Sequence, residues 1–451
     1  MVSTEIIAAI ATPPGRGGIG VIRISGKDLT TLAKVILGKL PKPRFASFSN
    51  FLDTEGHIVD QGIALYFPAP HSYTGEDVLE LQGHGGPAVM NLLLANCLAA
   101  GARLAQPGEF TLRAYLNHKI DLVQAESVAA IIEASTNEAA RCAMGSLQGN
   151  FSTKIHELVN ALITLRMLIE ATLDFPEDET ENLDALGIDE KLVQIHQKLE
   201  QITLSAQQGN MLQEGIRIAL VGAPNAGKSS LLNQLVQEEA AIVTDIPGTT
   251  RDSIQRTISI AGIPIHIIDT AGLRETHDIV EQKGIERTHA AIHSANMVLY
   301  LIDINQRPIN SADPIQQFLP SGKPQITIFN KIDLIHQQPE VNELKNGLII
   351  YLSAKTGAGI DLLREKILDL AGWQFNHAGE GLFMARQRHL EALKLAQTHV
   401  TNAQSVTMRE NQLEILAEEL RLAQGALSSI TGEFTADDLL GEIFSRFCIG
   451  K

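Results

Sequence analysis

The chain has 451 residues, 44% of them hydrophobic, which is more than one core usually serves and sets two or three domains as the expectation. Lys and Arg number 36 against 52 Asp and Glu, a formal charge of −16, so a protein that coats itself on nucleic acid through overall basicity is excluded; any such contact needs a local basic patch or a basic partner. The three cysteines, Cys97, Cys142 and Cys448, form no C-x-x-C pair and no disulfide framework, which points to a reducing compartment. Met1–Ile10 carries Glu5 and lacks a basic lead, unlike a secretory signal, and no apolar run approaches the roughly 20 residues a membrane span requires. A cytoplasmic protein is expected.

In chain order, short apolar runs with Gly and Pro punctuation come first. Ile19–Ile24 and Val78–Leu81 are predicted strands, and Pro87–Ala100 a helix opened by proline and closed by Gly101. From about Leu116 to Leu173 apolar residues recur at helical spacing, an acidic turn follows at Asp174–Glu181, and a second helical run covers about Ile188 to Leu212. The texture changes at Ile216. Apolar runs at Ile216–Val221, Ile263–Ile268, Met297–Ile302, Gln325–Phe329 and Leu348–Leu352 alternate with helical segments, the pattern of βαβ units on a mainly parallel sheet. Helical periodicity returns from Leu382 to Ile430. The economical reading is a multidomain chain: an α+β N-terminal domain (1–116), an all-α helical domain in two parts (117–212 and 374–451), and an α/β domain (213–373) inserted into it, as happens when a host domain's chain ends lie close together.

Gly222–Ser229 reads GAPNAGKS, the G-x-x-x-x-G-K-[ST] phosphate loop, between an apolar strand and a helix with Leu231, Leu232 and Leu235. Its glycines let backbone N–H groups curl around phosphate at a helix N-terminus, Lys228 can reach the β- and γ-phosphates, and Ser229 can ligate Mg²⁺. The inserted domain is therefore read as a P-loop G domain, with Asn225, Ala226, Gly227, Lys228, Ser229 and Ser230 at the nucleotide. Asn330–Asp333 (NKID) follows a predicted strand and resembles the guanine-reading loop of GTPases. The Asp333 carboxylate would accept from guanine N1–H and the 2-amino group, whereas adenine would leave it unpaired. Asn330 and Lys331 complete that loop, and Ser353, Ala354 and Lys355 (SAK) resemble the loop that supports it. Each short motif alone reads equally well as a solvated loop; the order and the preceding strands favour the nucleotide.

Asp269–Gly272 (DTAG) resembles switch II, with Asp269 reaching Mg²⁺ through water and Thr270, Ala271 and Gly272 beside the γ-phosphate. Thr249 and Thr250, in Gly248–Asp252, resemble switch I, with Thr250 on Mg²⁺. The residue after DTAG is Leu273, where many GTPases carry the glutamine that orients water. Arg274, Glu275, Asp278 and Glu281 are the groups nearby that could take that role.

Together GAPNAGKSS, IPGTTRD, DTAGLR with Glu281 after it, NKID and the terminal CIGK resemble the tRNA-modifying GTPases of the MnmE (TrmE) family, as do Ala11–Gly26 and Leu116–Glu126. The resemblance runs from end to end. It implies G domains that pair face to face with K⁺ in place of an arginine finger, its ligands falling on Asn225, Thr244, Ile246 and Thr249, with Asp245, Pro247 and Gly248 in the same nucleotide-binding segment. It puts the catalytic carboxylate on Glu281, acting through a second, bridging water; Lys228 is the other residue assigned to catalysis. It implies a 5-formyltetrahydrofolate-type cofactor at a homodimer interface of the N-terminal domain, at Arg23, Glu80, Lys119 and Lys451. Read without the family, Arg23 and Lys119 are ordinary surface ion-pair residues. Cys448 reads as a thiol near the one-carbon centre or as a small packing residue, Cys97 as core, and His84 as pocket or turn. The implied function is a K⁺-activated GTPase acting with the FAD-dependent protein MnmG in aminomethyl or carboxymethylaminomethyl modification of the wobble uridine (U34) of tRNA. The alternative is a ribosome-assembly switch of the Era or Der type.

Overall fold

The computed structural model describes residues 5–174, 187–237, 255–269, 292–306, 322–344, 347–374, 382–407 and 412–433, together with Ile443, Phe447 and Gly450. The chain divides into two compact units, Met1–Ala129 with Leu147–Leu192 and Thr398–Lys451, and Ala130–Ser146 with Val193–Gln397. No helix among the described residues is long and apolar enough to cross a membrane.

The first unit is built on a six-stranded sheet of β1 (Ile7–Ile10), β2 (Gly20–Gly26), β3 (Ser47–Leu52), β4 (Ile58–Phe67), β5 (Asp77–Gly83) and β6 (Arg103–Leu104), in the order β3-β4-β5-β2-β1-β6. Among these strands only β1 and β6 pair in parallel. Strand side chains alternate between faces. One face sends Ile22, Ile24, Leu79, Leu81 and Ala64 into a core with α1 (Thr30–Leu37) and α2 (Pro87–Ala99). Proline opens α2 as the sequence predicts, and Gly101 turns the chain just past its end at φ 105°. The other face packs Ile7 and Ala9 on Phe110 of α3 (Glu109–Leu116), with Tyr73 at the margin.

Beneath α3 lies a buried ion network. Arg113, 3% exposed, donates to Glu76 at 2.8 Å and to Glu109 at 3.0 Å, while Arg103 grips Glu109 with two nitrogens. Burial pushes the Glu109 carboxyl up, but the hydrogen bonds from Arg103, the Gln106 N–H and Arg113 hold it below the usual carboxylate range. The helical run begun near Leu116 resolves into α4 (Leu122–Glu133), α5 (Asn137–Leu147) and α6 (Asn150–Asp174), and the next run into α7 (Ile188–Glu214).

The second unit holds a seven-stranded sheet of β7 (Ile216–Gly222), β8 (Gln255–Ile260), β9 (Ile263–Asp269), β10 (Met297–Asp303), β11 (Gln325–Asn330), β12 (Glu340–Leu344) and β13 (Gly347–Tyr351), ordered β12-β13-β11-β10-β7-β9-β8. All neighbours are parallel except the two edge pairs. The predicted strands β7, β9, β10, β11 and β13 are the five parallel ones. Those nearest the middle are near-continuous apolar runs, as strands covered on both faces require. Helix α8 (Lys228–Gln237) follows β7, and α9 (Ile360–Ala371) follows β13; later come α10 (Gln387–Thr407) and α11 (Leu413–Thr431). In the first unit, α11 lies along α6, joined by Arg166 and Gln424 at 2.7 Å.

The two chain segments that enter and leave this sheet are fastened together. The Gln208 amide on α7 donates to Gly372 O at 2.8 Å and accepts from Gln374 N–H at 3.1 Å; Asn210 donates to Ala385 O at 3.0 Å. Between them Gly209 meets buried Phe383 so closely that a Cβ there would lie 1.9 Å from the Phe383 carbonyl oxygen. Backbone cannot yield as a side-chain tip can. The Gly209→Ala variant is expected to lose about 2–3 kcal/mol of stability or more through overpacking, seen as a lowered midpoint in thermal or urea unfolding.

Candidate functional site

The site forms where parallel strands end. Strand order reverses on either side of β7, with β9 on one flank and β10 on the other, and ligands of open α/β sheets bind at the carboxyl ends of strands at such a switch point. The loop from Gly222 to Lys228 leaves the sheet at this point and turns into α8. Two residues in it take positive φ, Asn225 at 64° and Gly227 at 104°. The Lys228 ammonium folds back across the loop, donating to Gly222 O at 2.5 Å and Ala223 O at 2.9 Å. It is thereby anchored at the mouth of the turn, while Asn225, Ser229 and Ser230 are exposed and Ala226 is buried.

The predicted base-reading residues are brought to the same edge by a single side chain. Asn330, 2% exposed, ends β11. Its amide nitrogen donates to Ala226 O in the phosphate loop at 2.8 Å. Its amide oxygen accepts from the N–H of Ala354 at 2.9 Å and of Lys331 at 2.8 Å. One carboxamide thus joins the phosphate loop, the NKID loop and the SAK loop. The approach demands glycine at 227: a Cβ there would lie 2.2 Å from the Asn330 amide nitrogen.

The chain then turns through Lys331, at φ 72°, into a short 3₁₀ helix, Ile332–Ile335, that carries Asp333 in its first turn. Asp333 is half-buried, and one of its carboxylate oxygens accepts from the Ser353 hydroxyl at 2.6 Å. That bond ties Asp333 to the Ser353 loop. Ser353 itself is fully buried, whereas Lys355 is exposed.

Asp269 closes β9, its backbone in register with Leu220 of β7, so the DTAG segment starts beside the phosphate loop. Thr244, Asp245, Ile246, Pro247, Gly248, Thr249, Thr250, Thr270, Ala271, Gly272, Arg274, Glu275, Asp278 and Glu281 lie outside the described residues, as do Cys448 and Lys451.

A second cluster lies on the first unit's sheet. Arg23 and Glu80 face each other in register on β2 and β5 and pair at 2.9 Å. The Arg23 guanidinium also sits 5.4 Å from the Tyr73 ring centroid and 5.9 Å from that of Phe110. Lys119 is exposed and its stem packs near Gly75. His84 is 70% exposed, with Nδ1 2.7 Å from Asp60. Cys97 is core, its thiol pushed up to about 12 by burial.

Sequence reading missed two features. Nothing in a motif says that Asn330 bonds all three loops, because that depends on loops far apart in sequence. Asp303, the last residue of β10, pairs with Lys331 at 2.7 Å and was hidden at the end of an apolar run.

A phosphate loop joined through one asparagine to an N-K-x-D loop is the arrangement of P-loop guanine-nucleotide hydrolases, and the chain is a GTP hydrolase of that class. Comparison with known proteins gives the family. A model described as the MnmE helical domain matches residues 122–448, and one described as the GTP-binding protein TrmE N-terminus matches residues 6–119. Proteins named tRNA modification GTPase MnmE from Nitrosomonas europaea and Nitrosomonas eutropha are 63% and 61% identical to it, each over 100% of both chains. Among solved structures, a point variant of Aquifex aeolicus Era bound to GDP·AlF4⁻ is 25% identical, covering 44% of this chain and 68% of that one at a TM-score of 0.26. The chain belongs to the tRNA modification GTPase MnmE family.

Removing the Asn330 amide orphans a buried carbonyl and two N–H groups, each worth roughly 1 kcal/mol or more. Asn330→Ala is therefore expected to weaken binding of a fluorescent GDP analogue by about tenfold or more, read by equilibrium titration.

Proposed function

We propose that this chain is a K⁺-activated GTPase that works with a FAD-dependent MnmG-type partner to modify the wobble uridine (U34) of tRNAs, adding an aminomethyl or carboxymethylaminomethyl group at C5. The full-length match to proteins named as tRNA modification GTPases carries this reading. We propose the same domain division as the sequence suggests: a folate-binding and dimerisation domain over 1–116, a helical domain over 117–212 and 374–451, and the G domain over 213–373.

The residues present suit the ligands. Lys228, already directed across the loop by two carbonyls, would hold the β- and γ-phosphates together with the loop N–H groups. Ser229 at the start of α8, with Thr250, would hold Mg²⁺, which supplies positive charge at the phosphates when bound. Asn225 is exposed on the loop and its side-chain oxygen could serve a K⁺ ion; Thr244, Ile246 and Thr249 would complete that set. Held by these residues, K⁺ would supply positive charge at the β–γ oxygens, where an arginine finger acts elsewhere. Leu273 cannot orient water; the family resemblance puts the positioning carboxylate on Glu281, which would act on the attacking water through a second, bridging water. Asp333 selects guanine, and Asn330 holds it in register with the phosphates.

In the first unit, Arg23 over two aromatic rings and Glu80 beside it suit a folate. Glu80, held by Arg23, would accept from pterin N–H groups, and Lys119 and Lys451 would supply charge for the glutamate carboxylates. GTP hydrolysis would drive opening and closing of paired G domains, not the one-carbon chemistry. A homodimer in the cytoplasm completes the proposal.

Two measurements test it. GTP turnover in KCl is expected to exceed that in NaCl at equal ionic strength by at least about tenfold, the size of one missing charge contact; equal rates would remove K⁺ from the mechanism. Glu281→Ala is expected to abolish hydrolysis while GDP affinity stays within about threefold of wild type; unchanged turnover would remove Glu281 from catalysis.

A further inference from the structure

We propose that Asp303 is a positioning residue of the guanine-reading loop, holding Lys331 and through it the turn that presents Asp333. This rests on the reading of Asn330–Asp333 as that loop.

Three observations carry it. The register places Asp303 of β10 directly beside Asn330 of β11, so the two strands end together. From there the Lys331 ammonium reaches back to Asp303 Oδ2 at 2.7 Å, while Asp303 Oδ1 accepts from the Asn305 N–H at 3.0 Å. Both carboxylate oxygens are therefore engaged, on a side chain that is only 10% exposed. Lys331 is also one of six described non-glycine residues at positive φ, a backbone state that costs an L-residue free energy and persists where surroundings enforce it.

That backbone state is what swings the chain from the end of β11 into the 3₁₀ helix bearing Asp333. The Asn330 amide fixes the near side of the turn through the Lys331 N–H, and Asp303 fixes the lysine's far end. Burial pushes the Asp303 carboxyl up, but the hydrogen bonds from Lys331 and Asn305 outweigh it and hold the group below its ordinary value, so it stays ionised at neutral pH. The pair is thus a charge-assisted hydrogen bond set back behind the loop. Asp303 acts through Lys331 and is not assigned a contact with the nucleotide.

Such a residue sets how well guanine is held, rather than how fast the phosphate is cleaved. In the full-length protein, Asp303→Asn keeps the acceptor for Asn305 and removes the charge. The Kd for a fluorescent GDP analogue and the KM for GTP are expected to rise together by about tenfold, with kcat at saturation within about twofold of wild type. Lys331→Met is expected to weaken binding as well, and adding Asp303→Asn to it to cost less than about twofold more, since the two residues share one interaction. Asp303→Glu, which retains a charge within reach of Lys331, is expected to recover most of the affinity and serves if the Asn variant does not fold. A wild-type Kd in Asp303→Asn, full additivity with Lys331→Met, or a Glu variant no better than Asn would each overturn the proposal. Asp333→Asn is run alongside: a shift in preference from GDP to XDP supports the loop's assignment, and no shift sinks that assignment whatever Asp303 does.

Discussion

The nucleotide site depends on one carboxamide. Asn330 makes one donor bond and two acceptor bonds, each to a different stretch of backbone: Ala226, Lys331 and Ala354. Ala226 lies 104 residues away along the chain and Ala354 24, and nothing local fixes their spacing. The phosphate loop and the predicted base-reading loops meet on opposite sides of that amide. A nucleotide spans both, so the distance between them must be held before it arrives, and a buried hydrogen-bonded side chain holds it without side-chain entropy left to lose. The same low-dielectric setting that makes the three bonds strong makes any one of them costly to lose.

The rest of the α/β unit serves this contact. Parallel strands with buried apolar faces bring Gly222, Asp269, Asp303 and Asn330 to one edge of the sheet. Gly227 leaves the gap through which the Asn330 amide passes, and Lys331 turns the chain away at a backbone angle that its paired side chain helps maintain. In the same unit, Gln208 and Asn210 on α7 fasten that helix to Gly372, Gln374 and Ala385, after α9.

Much of this was legible in the amino-acid sequence, and for identifiable reasons. The five parallel strands are short apolar runs bounded by turn residues, and their ends fall within one or two residues of the sequence reading. The phosphate loop, NKID and SAK are contiguous motifs whose chemistry is local. The elements that escaped reading were of a different kind. Strands β3 and β4 mix exposed Phe48, Ile58 and Ile63 with Ser, Asn and Gln, so their alternation is blurred. The edge strands β8 and β12 interleave polar residues with few apolar ones and pair on one side only. The Arg113–Glu76–Glu109 network and the Asp303–Lys331 pair join residues 28 to 37 positions apart, or four along a helix, and only folding reveals them. Arg23 and Glu80 lie 57 positions apart, and strand register alone sets them opposite.

Discrimination between bases by the intact site is the most direct measurement. With a fluorescent GDP analogue bound to the full-length wild-type chain, unlabelled GDP is expected to displace it stoichiometrically. ADP, which offers the Asp333 carboxylate neither of guanine's two donors, is expected to need a concentration about a thousandfold higher or more. Displacement by ADP at concentrations comparable to GDP would contradict the assignment of Asn330, Asp333 and the Ser353–Lys355 loop as the guanine-reading side of the site.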